Sequence, residues 1–176
     1  MAVFNTYSDS ANTAIRAFLT KVGAYYNEEK KFDTSNGKGK IIWETIKKDF
    51  NNSCCYCGKQ SDQLTMEHLI MINRSEFGLH HPGNVVPCCK QCNKRLRNPD
   101  KTPMKWVNHL KVIAGTEHQA RFDMIENHIK KYHYPNLTKK EIKTIKVIAE
   151  SLYRNIVSEG DKSFNLYIEL RKEFLD

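Results

Sequence analysis

The sequence predicts a mainly helical α+β fold in which a small cysteine-rich β-hairpin and helix sit between helical flanks. Three observations carry that prediction. All six cysteines fall in two tight clusters, Cys54, Cys55 and Cys57, then Cys88, Cys89 and Cys92. Two short apolar runs bounded by turn residues lie between or beside these clusters. Outside them, apolar residues recur at helical spacing. The chain of 176 residues therefore divides into an N-terminal helical segment (1–50), the cysteine-rich unit (51–113) and a C-terminal helical segment (114–176). One compact domain is the expected whole.

Taken in order, Asp9 or Ser10 can cap a first helix to about Tyr26, with Ile15, Phe18, Leu19 and Val22 at helical intervals. Glu28 to Lys40 is polar and holds an Asn36–Gly37 turn signal, so a loop is expected. A second helix over roughly 40–50 brings Ile41, Ile42, Trp43 and Ile46 toward the core. Leu64–Ile72 and Asn84–Pro87 read as strands, with Phe77–Gly83 in the loop between them. A short helix is expected from Cys89 to Asn98, stopped by Pro99, and another from Thr102–Pro103 through Ile113. In the last third, Phe122, Ile125, Ile129 and Tyr132 share a helical face, and Thr138 with Glu141 forms a capping box. Gly160 is expected to break that last helical run, leaving a separate helix from Phe164 to Leu175.

Cys54-x-x-Cys57 and Cys89-x-x-Cys92 supply four thiolates, the number a closed tetrahedral zinc site needs. A two-residue spacer lets both sulfurs of one tight turn reach a single ion. Such a site has no open coordination position, so the zinc is expected to be structural. Cys88 to Cys92 is also an allowed ligand spacing, and Cys55 adjoins Cys54. Two equal CxxC turns favour Cys89 and leave Cys55 and Cys88 as buried small residues. The N-terminus has no basic lead-in followed by an apolar stretch, and no apolar run approaches membrane-spanning length. Clustered cysteines in such a chain point to a reducing compartment, the cytoplasm, and to a metal rather than disulfides.

Between the clusters lie Glu67–His68 and Asn84, and Asn93 directly follows the last cysteine. The stretches CCYC, MEHLIM and GNVVPCCKQCNKRLRN, ending in TPMKW, resemble the HNH, or ββα-metal, endonuclease family over residues 54 to about 106. The resemblance implies a divalent-metal-dependent DNA endonuclease that hydrolyses phosphodiester bonds to 5′-phosphate and 3′-hydroxyl ends, of a restriction or phage-defence kind. His68 would be the general base, Asn84 would brace the loop that orients it, and Glu67 with Asn93 would hold one catalytic Mg²⁺ or Mn²⁺. Asn93 stands where the motif's last His is usual, Met71 where a proline often follows, and Glu67 in place of the commoner Asp.

The chemistry of these side chains agrees with that role. Neutral imidazole, with an unperturbed pKa of about 6.5, can take a proton at cellular pH. A carboxylate and an amide oxygen suit a hard, hydrated cation. Alternation is the difficulty, because adjacent residues of an ideal strand face opposite sides. The other reading is a treble-clef-like zinc module that binds nucleic acid without cutting it.

A formal charge of +8, from 28 Lys and Arg against 20 Asp and Glu, points to polyanion partners. Most of the excess lies in residues 88–111, where Lys94, Arg95 and Arg97 are the candidate contacts to double-stranded DNA and Arg74 a further one. His80 and His81 fall in a turn before Pro82–Gly83 and are expected in a solvated loop, while His109, His118, His128 and His133 have no ligand spacing. Cutting both strands with so small an enzyme would most simply use a homodimer.

Overall fold

The structure, a computed structural model, describes residues 6–28, 32 and 37–174. Much of the expected 28–40 loop, including Asn36, and the end of the expected last helix at Leu175 lie outside these residues. Five helices and one two-stranded sheet are described: α1 Tyr7–Tyr26, α2 Gly37–Asp49, β1 Thr65–His68, β2 Val85–Cys88, α3 Trp106–Ala114, α4 His118–Lys131 and α5 Lys139–Phe174. No described helix is long and apolar enough to cross a membrane.

α1 begins earlier than its capping residues suggested. Thr6 is the N-cap: its Oγ1 accepts from the Asp9 N–H at 3.2 Å and donates to the Asp9 carboxylate at 2.8 Å. Asp9 therefore serves as the acidic partner within the first turn. Ala11, Ile15, Leu19 and Gly23 form the buried stripe. α2 buries Trp43 and Ile46, and Asn51 and Asn52, both at positive φ, turn the chain sharply into the first cysteine cluster.

The hairpin is shorter than expected. β1 and β2 pair antiparallel in the register Thr65–Cys88, Met66–Pro87, Glu67–Val86 and His68–Val85. Beyond His68 the Leu69 N–H still reaches the Asn84 carbonyl at 2.9 Å. From Ile70 onward the Asn84 side chain takes over the backbone groups and ends the ladder. Asn84 itself closes a single 3₁₀ turn, Pro82–Asn84, instead of opening β2.

The helix expected over 89–98 does not form. One turn closes at the second CxxC, where the Asn93 N–H bonds the Cys89 carbonyl at 3.0 Å, and the chain then runs irregularly to a bridge between Arg97 and Pro103. Tertiary partners displace the helical ones. The Leu96 N–H is taken by His109 Nδ1 at 3.2 Å, and its carbonyl by the Met104 N–H at 2.8 Å. α3 consequently starts at Trp106, after Pro103 has paired with Arg97.

Gly160 does not break α5. The Thr138–Glu141 capping box forms as expected, with Glu141 N–H to Thr138 Oγ1 at 3.2 Å and Thr138 N–H to the Glu141 carboxylate at 2.7 Å. The helix then runs unbroken to Phe174. Gly160 packs against α1, where a Cβ would meet the half-exposed Tyr7 ring and require it to turn aside. Tyr26–Glu141 and Ser8–Tyr153 hydrogen bonds tie the same two helices at other levels and make them antiparallel.

Packing does not follow chain order. One core joins α2, both cysteine clusters, the hairpin, α3 and α4 around Tyr56, Phe50, Leu69 and Leu110. The other joins α1 and α5 through Ile15, Leu19, Ile145 and Ala149, with Leu79 of the hairpin loop packed in the same cluster. Leu79 thus fixes the loop after β1 against the terminal helices.

Candidate metal centre and active site

The four sulfurs of Cys54, Cys57, Cys89 and Cys92 lie within 4.8 Å of one another, and Cys57 and Cys89 are 3.9 Å apart. Zinc–sulfur bonds of about 2.3 Å at tetrahedral angles place sulfurs about 3.8 Å apart. The cluster can therefore hold a zinc ion with little movement. Two backbone devices shape it. Gly58 has φ of +71°, and a Cβ at that position would overlap the Arg121 guanidinium, which also donates to the Cys54 carbonyl at 3.2 Å. On the other turn, His109 Nε2 donates to the Cys92 carbonyl at 3.0 Å while its Nδ1 receives the Leu96 N–H. Cys55 and Cys88 are buried, as their reading as small core residues anticipated, although Cys88 Sγ lies 3.9 Å from Cys54 Sγ.

Glu67 lies inside the hairpin unit. Its Oε1 accepts from Arg95 Nε at 2.6 Å and from the Tyr56 hydroxyl at 3.3 Å. The side chains of Arg95 and Glu67 are only 2% and 7% exposed. Burial raises the Glu67 pKa, opposed by the attraction of the Arg95 cation. Both hydrogen bonds fall on Oε1, which leaves Oε2 without a partner among the described residues. Arg95 also donates to the carbonyls of His68, Leu69 and Met104 at 2.7, 2.8 and 3.1 Å. The expectation that Arg95 meets DNA phosphates is thereby corrected: its guanidinium is interior and holds β1 to the chain after the second CxxC.

Asn93 is oriented in a similar way. Its Nδ2 donates to Thr65 Oγ1 at 2.8 Å and to the Met66 carbonyl at 3.1 Å, leaving Oδ1 unbonded among the described residues. Thus Glu67 and Asn93, 26 positions apart in the numbering, are both anchored on or against β1 and each retains one uncommitted oxygen.

His68 is half-buried at the end of β1. Its Nε2 lies 3.0 Å from His80 Nδ1, and His80 Nε2 lies 2.9 Å from the Phe32 carbonyl oxygen. A carbonyl only accepts, so His80 carries its proton on Nε2. With His80 neutral, its Nδ1 is the acceptor and His68 donates through Nε2, which leaves the His68 lone pair on Nδ1. Burial, followed by the nearby His80, Arg95 and Arg16, pushes the His68 pKa down to about 3. The ring is therefore neutral throughout the cellular pH range.

Asn84 is buried and braces the loop after β1. Its Oδ1 accepts from the Ile70 N–H at 2.8 Å, and its Nδ2 donates to the Ile70 and Leu79 carbonyls, both at 2.9 Å. The expectation of a solvated loop at His80 and His81 is overturned. His80 is half-buried against Phe32, and His81 is 2% exposed, with Nδ1 accepting from the Gly83 N–H at 3.1 Å. Of the other candidates, Lys94 and Arg97 are exposed, Arg97 donating to the Lys101 carbonyl at 2.6 Å. Arg74 pairs with Glu150 at 3.5 Å and lies over the Tyr153 ring.

Two partners escaped the sequence reading. His80 was discounted because Pro82–Gly83 suggested an exposed turn. Tyr56, inside the first CxxC, carries no motif signal of its own, yet its hydroxyl donates to Glu67. No family model matches the chain, and no curated protein or solved structure matches it.

Proposed function

We propose that this protein is a divalent-cation-dependent DNA endonuclease, its hairpin stapled by a structural zinc at Cys54, Cys57, Cys89 and Cys92. It hydrolyses phosphodiester bonds to 5′-phosphate and 3′-hydroxyl ends, in a restriction or phage-defence role. The observation that best supports this reading is the polarised setting of three side chains around β1. Glu67 is bonded through Oε1 only, Asn93 through Nδ2 only and His68 through Nε2 only. Each keeps the atom the reaction needs.

In this mechanism His68 Nδ1 takes the proton of the attacking water, and the His80–Phe32 pair holds the ring in the tautomer that allows it. Glu67 Oε2 and Asn93 Oδ1 are hard oxygen donors that would hold Mg²⁺ or Mn²⁺. Bound there, the cation would supply charge stabilisation for the phosphorane-like transition state and the leaving oxygen. Arg95 positions Glu67, as hydrogen bonds to a ligating carboxylate commonly do. Asn84 keeps the loop after His68 in place. Double-strand cleavage would use two protomers, one for each strand.

The second reading, a zinc-dependent nucleic-acid-binding module without catalysis, is favoured by one observation: the Glu67 carboxylate already has a buried cation in Arg95. Incubating supercoiled plasmid with protein and Mg²⁺ or Mn²⁺ separates the two. Nicking or linearisation that is absent in His68→Ala and without divalent metal upholds the nuclease. Plasmid that is bound but intact under every metal condition, or cut equally by His68→Ala, removes it.

A further inference from the structure

We propose that the open cleft between α1, the turn at Asn73–Phe77 and α5 is a track for the phosphate backbone of duplex DNA, leading to His68. The inference deepens the nuclease reading by naming where the substrate lies, and only its inner end, at His68, depends on that reading.

The cleft has a volume of about 620 Å³ and is lined by Asn12 and Arg16 from α1, Asn73 and Arg74 from the turn, and Lys146 and Glu150 from α5. Three cations face one carboxylate. Arg74 and Glu150 satisfy each other at 3.5 Å, and Arg74 is further fixed over the Tyr153 ring at 3.8 Å. Arg16 and Lys146, on opposite walls, are exposed and form no ion pair among the described residues. Asn73 Oδ1 is occupied by Ser75 and Glu76, which leaves its amide N–H₂ as a donor. The result is a polar floor with an unneutralised positive charge on each wall.

The path to His68 follows from helix geometry. Gly23 of α1 packs directly on the His80 backbone, so close that a Cβ would overlap the carbonyl oxygen. Arg16 precedes Gly23 by seven residues, two turns or about 10 Å along the same face. A phosphate chain held between Arg16 and Lys146 is therefore led along α1 toward the His80–His68 pair.

The occupant is argued from shape and charge. Small-molecule sites are mostly enclosed and apolar, with a few polar groups. This cleft is open, its lining is chiefly polar and its free charges are cationic, which suits a continuous polyanion. Lys94, Arg95 and Arg97 form the polyanion face expected from charge alone. The burial of Arg95 weakens that face, whereas residues from three separated segments build this one.

The test uses full-length, zinc-loaded protein and a fluorescently labelled duplex of mixed sequence, with no divalent cation added, so that binding is read without cleavage. The double variant Arg16→Ala/Lys146→Ala is compared with Lys130→Ala/Lys172→Ala, which removes two exposed lysines outside the cleft. Loss of two phosphate contacts should flatten the dependence of log affinity on log salt by about 1.8. Affinity at low salt should fall about tenfold or more, with the control near wild type. Equal affinity in the two double variants overturns the proposal, as does tight capture of a free mononucleotide that blocks the duplex. A wild type that binds through Arg16 and Lys146 yet never cuts leaves this inference standing and removes the nuclease reading. A protein that cuts while the cleft variant binds normally does the reverse.

Discussion

Arg95 Nε donates to Glu67 Oε1 at 2.6 Å across 28 residues of sequence, in an ion pair almost wholly closed to solvent. The same guanidinium also bonds three carbonyls, so this contact fixes the relation between β1 and the chain beyond the second CxxC turn. Breaking a buried pair by removing one partner costs about 3–5 kcal/mol, because the other charge is left unpaired. Arg95→Ala should lose that much in urea unfolding, and Arg95→Lys should recover little, since an ammonium cannot reproduce the planar fork. Lys94→Ala should be nearly silent. Comparable stability in Arg95→Ala and Lys94→Ala would place Arg95 outside the core.

Zinc should be present at one ion per chain. A structural zinc is worth on the order of 10 kcal/mol to a small site, and a hairpin of two four-residue strands has little independent stability. Cys57 is exposed, so Cys57→Ser removes a ligand without opening a cavity. That variant should lose the metal, by elemental analysis, together with the near-ultraviolet signal of Tyr56. Cys55→Ser should keep the metal. Zinc retained by Cys57→Ser and lost by Cys55→Ser would reassign the ligands.

His80 should act on His68 through tautomer choice. In His80→Gln the amide oxygen can accept from His68 Nε2 while the amide N–H₂ donates to Phe32, whereas His80→Leu can do neither. Nitrogen chemical shifts of the His68 ring should report a proton on Nε2 in wild type and His80→Gln, and a mixture in His80→Leu. On the nuclease reading, kcat should fall about 10²-fold or more in His80→Leu with KM little changed, given the usual 10²–10⁴-fold contribution of a general base. Unchanged ring shifts in His80→Leu would show that His80 does not set the tautomer.

Stability should fall with acid through the buried histidines. Burial, aided by neighbouring histidines, lowers the His81 pKa to about 4, and His68 is lower still. Unfolded histidine titrates near 6.5. Between about pH 6.5 and pH 4 the unfolded chain binds more protons, so stability is full above that window and declines as pH drops through it. His81→Asn keeps an acceptor for the Gly83 N–H but does not titrate. Its urea midpoint should vary less between pH 7 and pH 5 than that of wild type. Parallel profiles would show that His81 is not buried neutral.

Two helical glycines should respond differently to alanine. The intrinsic gain in helix propensity is about 1 kcal/mol at either position. At Gly160 the obstacle is the Tyr7 ring, a half-exposed side chain that can turn away, so Gly160→Ala should be near neutral. At Gly23 the obstacle is the His80 backbone, which cannot yield without moving the loop. Gly23→Ala should lose about 1–3 kcal/mol and perturb the His68 ring shifts. Equal melting temperatures for the two variants would refute the close α1–His80 contact.

The class of fold and the four-cysteine cluster were legible in the chain's own spacing. Those features are local: CxxC spacing, the Thr138–Glu141 capping box and helical periodicity are settled within a few residues of chain. Asn84 makes three side-chain bonds to Ile70 and Leu79, contacts that no local spacing specifies. Where a distant partner competed with a local preference, long-range packing set the outcome. His109 and Met104 took the backbone groups of Leu96 and unmade the helix expected after Cys89. Glu67 drew Arg95 inward, away from any phosphate. Tyr7 gave Gly160 a packing role inside an unbroken helix. The Arg16–Lys146 cleft joins residues 130 positions apart in the numbering, and no periodicity or motif could have brought them together, because burial of the α1 and α5 stripes against each other is what does so.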